Sequence, residues 1–300
     1  MSYRRRGVRE LCRLLGYTPQ AYYGYQRLFA KRVLKEDLLI QQVLTCRKLQ
    51  PRLGGRKLLV ILQPFMQQHG IGLGRDAFFS LLNAYGLLVR KRRRSAPRTT
   101  FSNHHYRRYD DLTEGLMVQR AQQLWVSDIT YIPLHYGHAY LSLVTDAYSR
   151  KIVGFGVSPD LTTEGCLRAL RAALEQREAG LPLIHHSDRG SQYCSGAYTA
   201  LLTKNDIAIS MTQSGDPRDN AIAERVNGIL KSELLNRVYA SYEQAATAVK
   251  TAIQTYNTLR PHSSVDMLTP QQAHLHQGEL RRRWKSYYKS FERAAIITVE

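Results

Sequence analysis

The chain has 300 residues, 43% of them apolar, and a formal net charge of +19 at pH 7. This length allows one catalytic domain of ordinary size and one or two small modules. No stretch approaches the roughly 18 uncharged apolar residues that cross a bilayer, and no apolar signal-peptide core follows the basic start, so we expect a soluble intracellular protein without membrane spans.

The excess positive charge lies in the first third of the chain. Residues 1–108 hold 23 Lys and Arg against 4 Asp and Glu, whereas residues 109–300 hold 20 of each. A basic first third followed by a neutral remainder indicates that the chain binds a polyanion. DNA or RNA is favoured over a membrane surface, because the basic segments do not form one lipid-facing amphipathic helix. The alternative is a solubilising surface, which would scatter both signs along the chain.

Two helices joined by a tight turn are predicted at the start of the chain. Gly16 ends the first, and Thr18 is the N-cap of the second. The pattern favours a helix-turn-helix within residues 1–35, whose second helix presents Gln20 and Arg27 to a DNA major groove. The alternative is a helix hairpin that belongs to a packed core.

A second small helical module is predicted over residues 36–90. Its three short helices cover about 36–50, 55–69 and 75–86, and Pro64 interrupts the middle one.

A basic linker follows over residues 91–119. Its first half contains no acid and little periodicity, so it stays extended and can follow a phosphate backbone; a solvated spacer is a compatible alternative. The candidate DNA contacts where the module meets the linker are Arg90, Lys91, Arg92, Arg93 and Arg94.

From residue 120 onward the pattern is that of an α/β domain. Strands are predicted at 124–133, 138–147, 151–157, 183–187 and 207–211, and helices at about 163–179, 195–205 and 219–238. The order βββαβαβα predicts a mixed sheet with helices on its faces.

Three acidic residues occupy special places in this layout. Asp128 lies within the first strand, Asp188 ends the fourth, and Glu224 lies near the start of the last helix. Carboxylates that converge in one cleft repel one another unless a divalent cation binds there. Oxygen ligands favour Mg²⁺, with Mn²⁺ as a substitute, and two such ions can stabilise both the attacking and the leaving oxygen of a phosphoryl displacement.

The helix that carries Glu224 has a polar stripe. Asn220, Glu224, Asn227 and Lys231 share one face because they are spaced by whole helical turns. Lys231 is a candidate for holding a DNA phosphate, and Asn220 and Asn227 are further candidate DNA contacts. The alternatives are a solvent-facing flank and, for Asn220, a helix cap.

Other possible sites are less favoured. Asp146 with Arg150 is better interpreted as an ion pair across a turn than as a fourth acid site. The run 185–188 contains the residue types of a hydrolase triad, but neighbouring strand residues face opposite sides of a sheet, which disfavours serine catalysis. The 4 widely separated cysteines favour free thiols over disulfides or zinc.

Several runs resemble the successive motifs of the DDE transposases. They are residues 125–131, 146–154, 186–193 and 219–224, followed by 256–262 and 269–270. The branch is the bacterial insertion sequence 3 family, specifically its second reading-frame product (OrfB) with an integrase catalytic core. The 35 residues between Asp188 and Glu224, with a basic residue seven positions after Glu224, make this resemblance specific.

The resemblance implies a ribonuclease-H-like fold over residues 120–274, and the helical patterns of residues 1–90 predict all-helical DNA-binding modules before it. It assigns catalysis and metal binding to Asp128, Asp188 and Glu224, through nicking at an element end and attack of the freed 3′-hydroxyl on another phosphodiester. It also implies double-stranded DNA, a homo-oligomeric synaptic complex, a bacterial cytoplasmic location at the nucleoid, and fusion to or action with an upstream-frame DNA-binding product. The basic, aromatic tail at 275–300 lies outside the pattern and predicts phosphate contacts and stacking.

Two alternative functions remain open at this point. One is a DNA-binding protein derived from such an enzyme that no longer reacts, and the other is a nuclease of the same fold without strand transfer. The presence of all three acids and Lys231 favours an active enzyme, and the separate N-terminal modules favour a transposase over a nuclease.

Overall fold

A computed structural model describes residues 7–89, 106–178, 180–213, 220–235 and 237–281. The chain divides into two units, Met1–Arg93 and Arg94–Glu300. Within the described ranges, none of the helices combines the length and the apolar character that crossing a membrane requires. The basic residues at 90–94 and the end of the tail, 282–300, lie outside the described residues.

The first unit begins with helices α1, Val8–Leu14, and α2, Pro19–Leu49. The predicted turn between them is confirmed, because Gly16 has a φ of +73° and Thr18 Oγ1 accepts a bond from the backbone N–H of Ala21 at 3.1 Å. The separate helix predicted at 36–50 is wrong, since α2 is one helix of 31 residues and the predicted boundary at residue 35 falls inside it. Neither Gly nor Pro interrupts residues 25–49, so nothing local ends the helix earlier.

Helices α3, Gly55–Gln68, and α4, Arg75–Ala84, complete this unit. They pack on the C-terminal half of α2 around buried apolar side chains, among them Leu39, Val43, Leu58, Leu62, Phe78 and Leu82. The predicted interruption of α3 at Pro64 is wrong, because the helix continues through this residue. Pro64 is exposed while Leu62 and Met66 are buried, so packing of the opposite face outweighs the lost backbone bond.

The second unit is built on a five-stranded sheet in the order β3-β2-β1-β4-β5. The strands are β1 Leu124–Pro133, β2 His138–Asp146, β3 Ile152–Ser158, β4 Leu183–Ser187 and β5 Ile207–Met211. The first three strands pair antiparallel, and β4 and β5 add in parallel. The predicted mixed sheet of the ribonuclease-H-like fold is therefore confirmed.

Helices cover both faces of this sheet. They are α5 Thr163–Leu174, α6 Ser191–Cys194, α7 Gly196–Lys204, α8 Ala221–Ile229, α9 Tyr242–Thr258 and α10 Pro270–His274, with a π-helical turn, Leu230–Leu234, after α8. Trp125 and Leu170 belong to the core beneath α5 and α7. Leu141, Val226 and Ile253 belong to the core beneath α8 and α9.

The long helix predicted at 219–238 is wrong in its extent. After the π-helical turn the chain pairs with the end of β1, where Tyr239 N–H donates to Pro133 O at 3.1 Å and His135 N–H donates to Tyr239 O at 2.9 Å. Main-chain pairing with a distant strand therefore ends the helical run. Helix α9 was not predicted, although Ser241 caps it and its buried residues recur at helical spacing.

Two glycines of β3 allow α5 to lie directly on the sheet. A Cβ on Gly154 would stand 2.1 Å from Ala169 O, and a Cβ on Gly156 would stand 2.3 Å from Gly165 O. Both obstacles are backbone atoms of α5, so they yield only if the whole helix moves.

We expect Gly154→Ala to lower the free energy of unfolding by about 2 kcal/mol or more, because overpacking forces α5 away from β3. Urea unfolding followed by circular dichroism measures the change. Gly196→Ala is the control, since no atom lies within 4 Å of a Cβ at that position. Equal stability of Gly154→Ala and the parent chain would contradict the close-packing account.

Candidate active site

Asp128 lies on β1, and Asp188 directly follows β4, the neighbouring parallel strand. The β1–β4 register ends at the pair Val126 and His186, so each acid lies two residues beyond this last pair, at the same end of the two strands. Helix α8, which carries Glu224, packs on β1. The charges of Asp188 and Glu224, which lie far from Asp128 in the sequence, both act on Asp128 in the folded chain.

The pKa of Asp128 responds to the charges of both other acids. Burial and then the negative charge of Asp188 raise the pKa of Asp128 to about 7, and the charge of Glu224 adds to the rise. Hydrogen bonds from Asn227 and from the backbone N–H of Ile129 act in the opposite direction. Asp128 in the chain without a cation is therefore partly protonated near neutral pH.

The three carboxylates are not arranged as a complete set of metal ligands. Within the part of the chain that the structure describes, no group of three or more His, Cys, Asp or Glu side chains is arranged to hold a metal ion. Electrostatic influence extends beyond coordination distance, so this finding is compatible with the raised pKa of Asp128. Glu224 is exposed on α8, whereas Asp128 and Asp188 are half-buried.

The chemistry of the donors nevertheless fits a hard divalent cation. All three side chains offer carboxylate oxygens, which Mg²⁺ and Mn²⁺ prefer. A bound cation would offset the repulsion that raises the pKa of Asp128.

The polar stripe of α8 faces β1. Asn227 Nδ2 donates to Asp128 Oδ2 at 2.8 Å, Asn220 Nδ2 donates to Ser127 O at 2.8 Å, and Lys231 Nζ donates to Thr130 Oγ1 at 3.2 Å. Because Asn220 and Asn227 are 8% and 5% exposed, the alternative of a solvent-facing flank is wrong for them. Asn220 occupies the N-cap position of α8, but its side chain bonds to β1.

The contact of Asn227 with Asp128 is a positioning role that sequence reasoning missed. The spacing placed Asn227 on the same stripe as Glu224, which was the available signal. Only the packing of α8 on β1 shows that the amide reaches a carboxylate.

We expect Asp128→Asn to raise the melting temperature of the cation-free chain at pH 8 by several degrees. The pKa of Asp128 is higher in the folded chain than in the unfolded chain. The contribution of this carboxyl to the free energy of unfolding is therefore fully present below about pH 4 and is lost as the pH rises through about 7. Asn carries no charge to bury and keeps the side-chain volume. Thermal melts in EDTA at pH 8 and pH 5 measure the effect, and a gain of the same size at both pH values would contradict it.

The two histidines before Asp188 point to opposite faces of the sheet, as predicted. Ser127 Oγ and Tyr198 OH lie 2.7 and 2.9 Å from His185 Nε2. Burial lowers the pKa of His185 to about 3, so its imidazole is neutral near pH 7. This buried polar group supports β1 from the face opposite Asp128.

Asp146 stabilises a turn. It is fully buried, its Oδ1 accepts bonds from the backbone N–H and Oγ of Ser149 at 2.8 and 2.6 Å, and its Oδ2 accepts the N–H of Gln122 at 2.7 Å. These bonds fasten the β2–β3 turn to the segment that enters β1. The geometry gives Asp146 a structural role.

Two further predicted DNA contacts lie on α2 of the first unit. Gln20 and Arg27 are exposed on α2. Both side chains are accessible to a partner, and their role stays a prediction.

The integrase core domain family matches residues 118–217, and a second integrase core domain family matches residues 205–270. The matched residues cover β1 to β5, α8 and α9, which includes all three acids.

Similar proteins include two bacterial transposases. The transposase for insertion sequence element IS629 of Shigella sonnei is 31% identical over 267 residues, which cover 85% of this chain and 86% of that protein. Transposase InsF for insertion sequence IS3A of Escherichia coli is 33% identical over 202 residues, or 65% and 70% of the two chains. Among solved structures, the HTLV-2 integrase catalytic core domain in complex with magnesium gives a TM-score of 0.42 at 21% identity, covering 52% of this chain and 97% of that one. From the similarity to full-length transposases, the chain belongs to the transposases of the insertion sequence 3 family.

Proposed function

We propose that this transposase cuts DNA at the ends of its element and joins the freed 3′-hydroxyl to a target phosphodiester, using divalent cations held by Asp128, Asp188 and Glu224. The observation that carries the proposal is the raised pKa of Asp128, which arises from burial and from the other two carboxylates. A carboxylate that loses hydration next to two other negative charges does not stabilise a fold, so this arrangement supports a site that binds a cation.

The chain's own residues would prepare the site in distinct ways. Asn227 and the backbone N–H of Ile129 orient the Asp128 carboxylate. Glu224, which is exposed, would complete the ligand set by swinging toward Asp128. A pair of bound Mg²⁺ or Mn²⁺ ions would stabilise the charge that develops on the attacking and leaving oxygens. Lys231 would hold a DNA phosphate, because its Nζ bonds to Thr130, which lies on the same strand as Asp128.

The basic first third of the chain would hold the element ends. Its excess of positive charge supports binding to the DNA backbone, and Gln20, Arg27 and the basic residues at 90–94 are the proposed contacts. Asn220 and Asn227 are buried against β1, so DNA could contact them only if this face of α8 became accessible. Joining two ends calls for an assembly of several copies, fused to or acting with an upstream-frame DNA-binding product.

Incubation of the purified chain and Mg²⁺ with labelled DNA from the flanks of its own gene tests the proposal. We expect products cut at the element ends and products joined to target DNA, both absent in EDTA. Cut products without joined ones would identify a nuclease instead, and binding without either product would identify an inactive derivative.

A further inference from the structure

We propose that Arg260 is a positioning residue for the catalytic helix, acting through an ion pair with Glu233 that fixes the turn after α8. This inference rests on the proposed function, because it assigns a role in setting the orientation of Glu224 and Lys231.

The ion pair is two-pronged and partly buried, since the Glu233 side chain is 19% exposed. Arg260 Nε and Nη2 lie 2.8 Å from the two carboxylate oxygens of Glu233, and the Arg260 side chain is 1% exposed. Two parallel bonds between a planar guanidinium and a carboxylate fix direction as well as distance. A pair of this kind transmits orientation between the two elements that carry it.

Glu233 lies in the π-helical turn that directly follows α8. The turn also carries Lys231, which bonds to Thr130 on β1, two residues beyond Asp128. This turn therefore follows the helix that bears Glu224 and also carries the positively charged side chain of Lys231 next to the site. Such turns are rare and recur at functional sites.

Arg260 is itself anchored to the sheet from the end of α9. Its guanidinium lies 5.8 Å from the ring centre of Tyr256, whose OH donates to Arg150 O at 3.0 Å. Asn257 bonds to both backbone groups of Ile152, accepting from N–H at 3.0 Å and donating to O at 2.9 Å. The last turns of α9 are therefore fastened to the start of β3, and Arg260 extends this frame to α8.

The stability of the fold alone does not explain such a pair. Replacing a buried ion pair by apolar side chains of similar volume is often neutral or stabilising, because both charges lose their hydration on burial. An apolar pair would fill the same space without fixing the direction of the turn. The double replacement therefore separates orientation from stability.

The test compares the parent chain with the double variant Arg260→Met/Glu233→Met. We expect a melting temperature close to that of the parent, about tenfold faster amide exchange over residues 221–234, and single-turnover strand transfer slower by about tenfold or more. Leu202→Ala, in the core beneath α7, is the control: it lowers the melting temperature while leaving exchange over 221–234 and the rate per folded molecule unchanged.

A folded double variant with parental exchange over 221–234 and a parental rate overturns the proposal, and so does faster exchange spread evenly over the whole second unit. If the double variant does not fold, Arg260→Lys, which keeps the charge but loses the two-pronged geometry, decides by the same readouts below its melting temperature. The exchange measurement needs no turnover. Failure of the proposed function, seen as strand transfer that persists in Asp128→Asn or is absent from the parent, is therefore distinguishable.

Discussion

Asp128→Asn, Asp188→Asn and Glu224→Gln should each abolish both cleavage and joining in Mg²⁺. Removing one carboxylate from a cation site forfeits several kcal/mol of charge stabilisation in the transition state, so we expect rates lower by about a thousandfold or more. DNA affinity should stay nearly unchanged, because most of the proposed DNA contacts lie in the basic first third of the chain. Single-turnover assays on labelled element ends, with binding titrations in Ca²⁺, measure the two effects separately.

Loss of activity in these variants would not reflect unfolding. Asp128→Asn is expected to be more stable than the parent without cations at pH 8, since the raised pKa of Asp128 marks an unfavourable buried charge. Glu243→Gln, an exposed acid in the first turn of α9, is the matched control and should retain full activity. Strand transfer that survives in all three site variants would show that the catalytic assignment is wrong.

Neutralising the five basic residues at 90–94 with Gln should weaken DNA binding strongly and flatten its dependence on salt. Each phosphate contact releases condensed counterions, so losing five contacts reduces the magnitude of the slope of log affinity against log salt by about 4.5. Affinity should fall for all sequences alike, because phosphate contacts carry no base information. Binding titrations between 50 and 200 mM salt provide the measurement.

A variant with Lys204→Gln and Lys250→Gln is the control for charge in the second unit. Residues 109–300 hold equal numbers of basic and acidic residues, so this change should leave the salt slope within error of the parent. If the five-residue variant kept the parental slope, the linker would act as a solvated spacer instead of a phosphate contact.

The strands could be predicted to within a residue because their signals are local. Side chains alternate between two faces, and Gly137 takes a φ of +88° at a hairpin turn that its own sequence marks. The predicted bounds of β1, β4 and β5 match the structure for this reason.

Helix ends were less predictable because distant contacts decide them. The run after Ile229 keeps a helical composition, but pairing of Tyr239 with the end of β1 diverts the chain. Helix α2 shows the opposite case: it runs without a break from Pro19 to Leu49, and its C-terminal half packs in the core that includes Leu39. In both cases, packing against neighbouring elements outweighs intrinsic helix propensity in setting where the helix ends.

The sequence by itself determined which residues are available for chemistry. These are one acid within the first strand, one after the fourth strand and one near the start of a helix, together with a charge excess confined to the first third of the chain. Tertiary structure alone decided that Asn227 bonds to Asp128, that Arg260 pairs with Glu233, and that the pKa of Asp128 rises to about 7. The reason is physical: hydrogen bonds and pKa shifts depend on distances and burial between residues that lie 27 to 99 positions apart in these two pairs, and no local pattern encodes those distances.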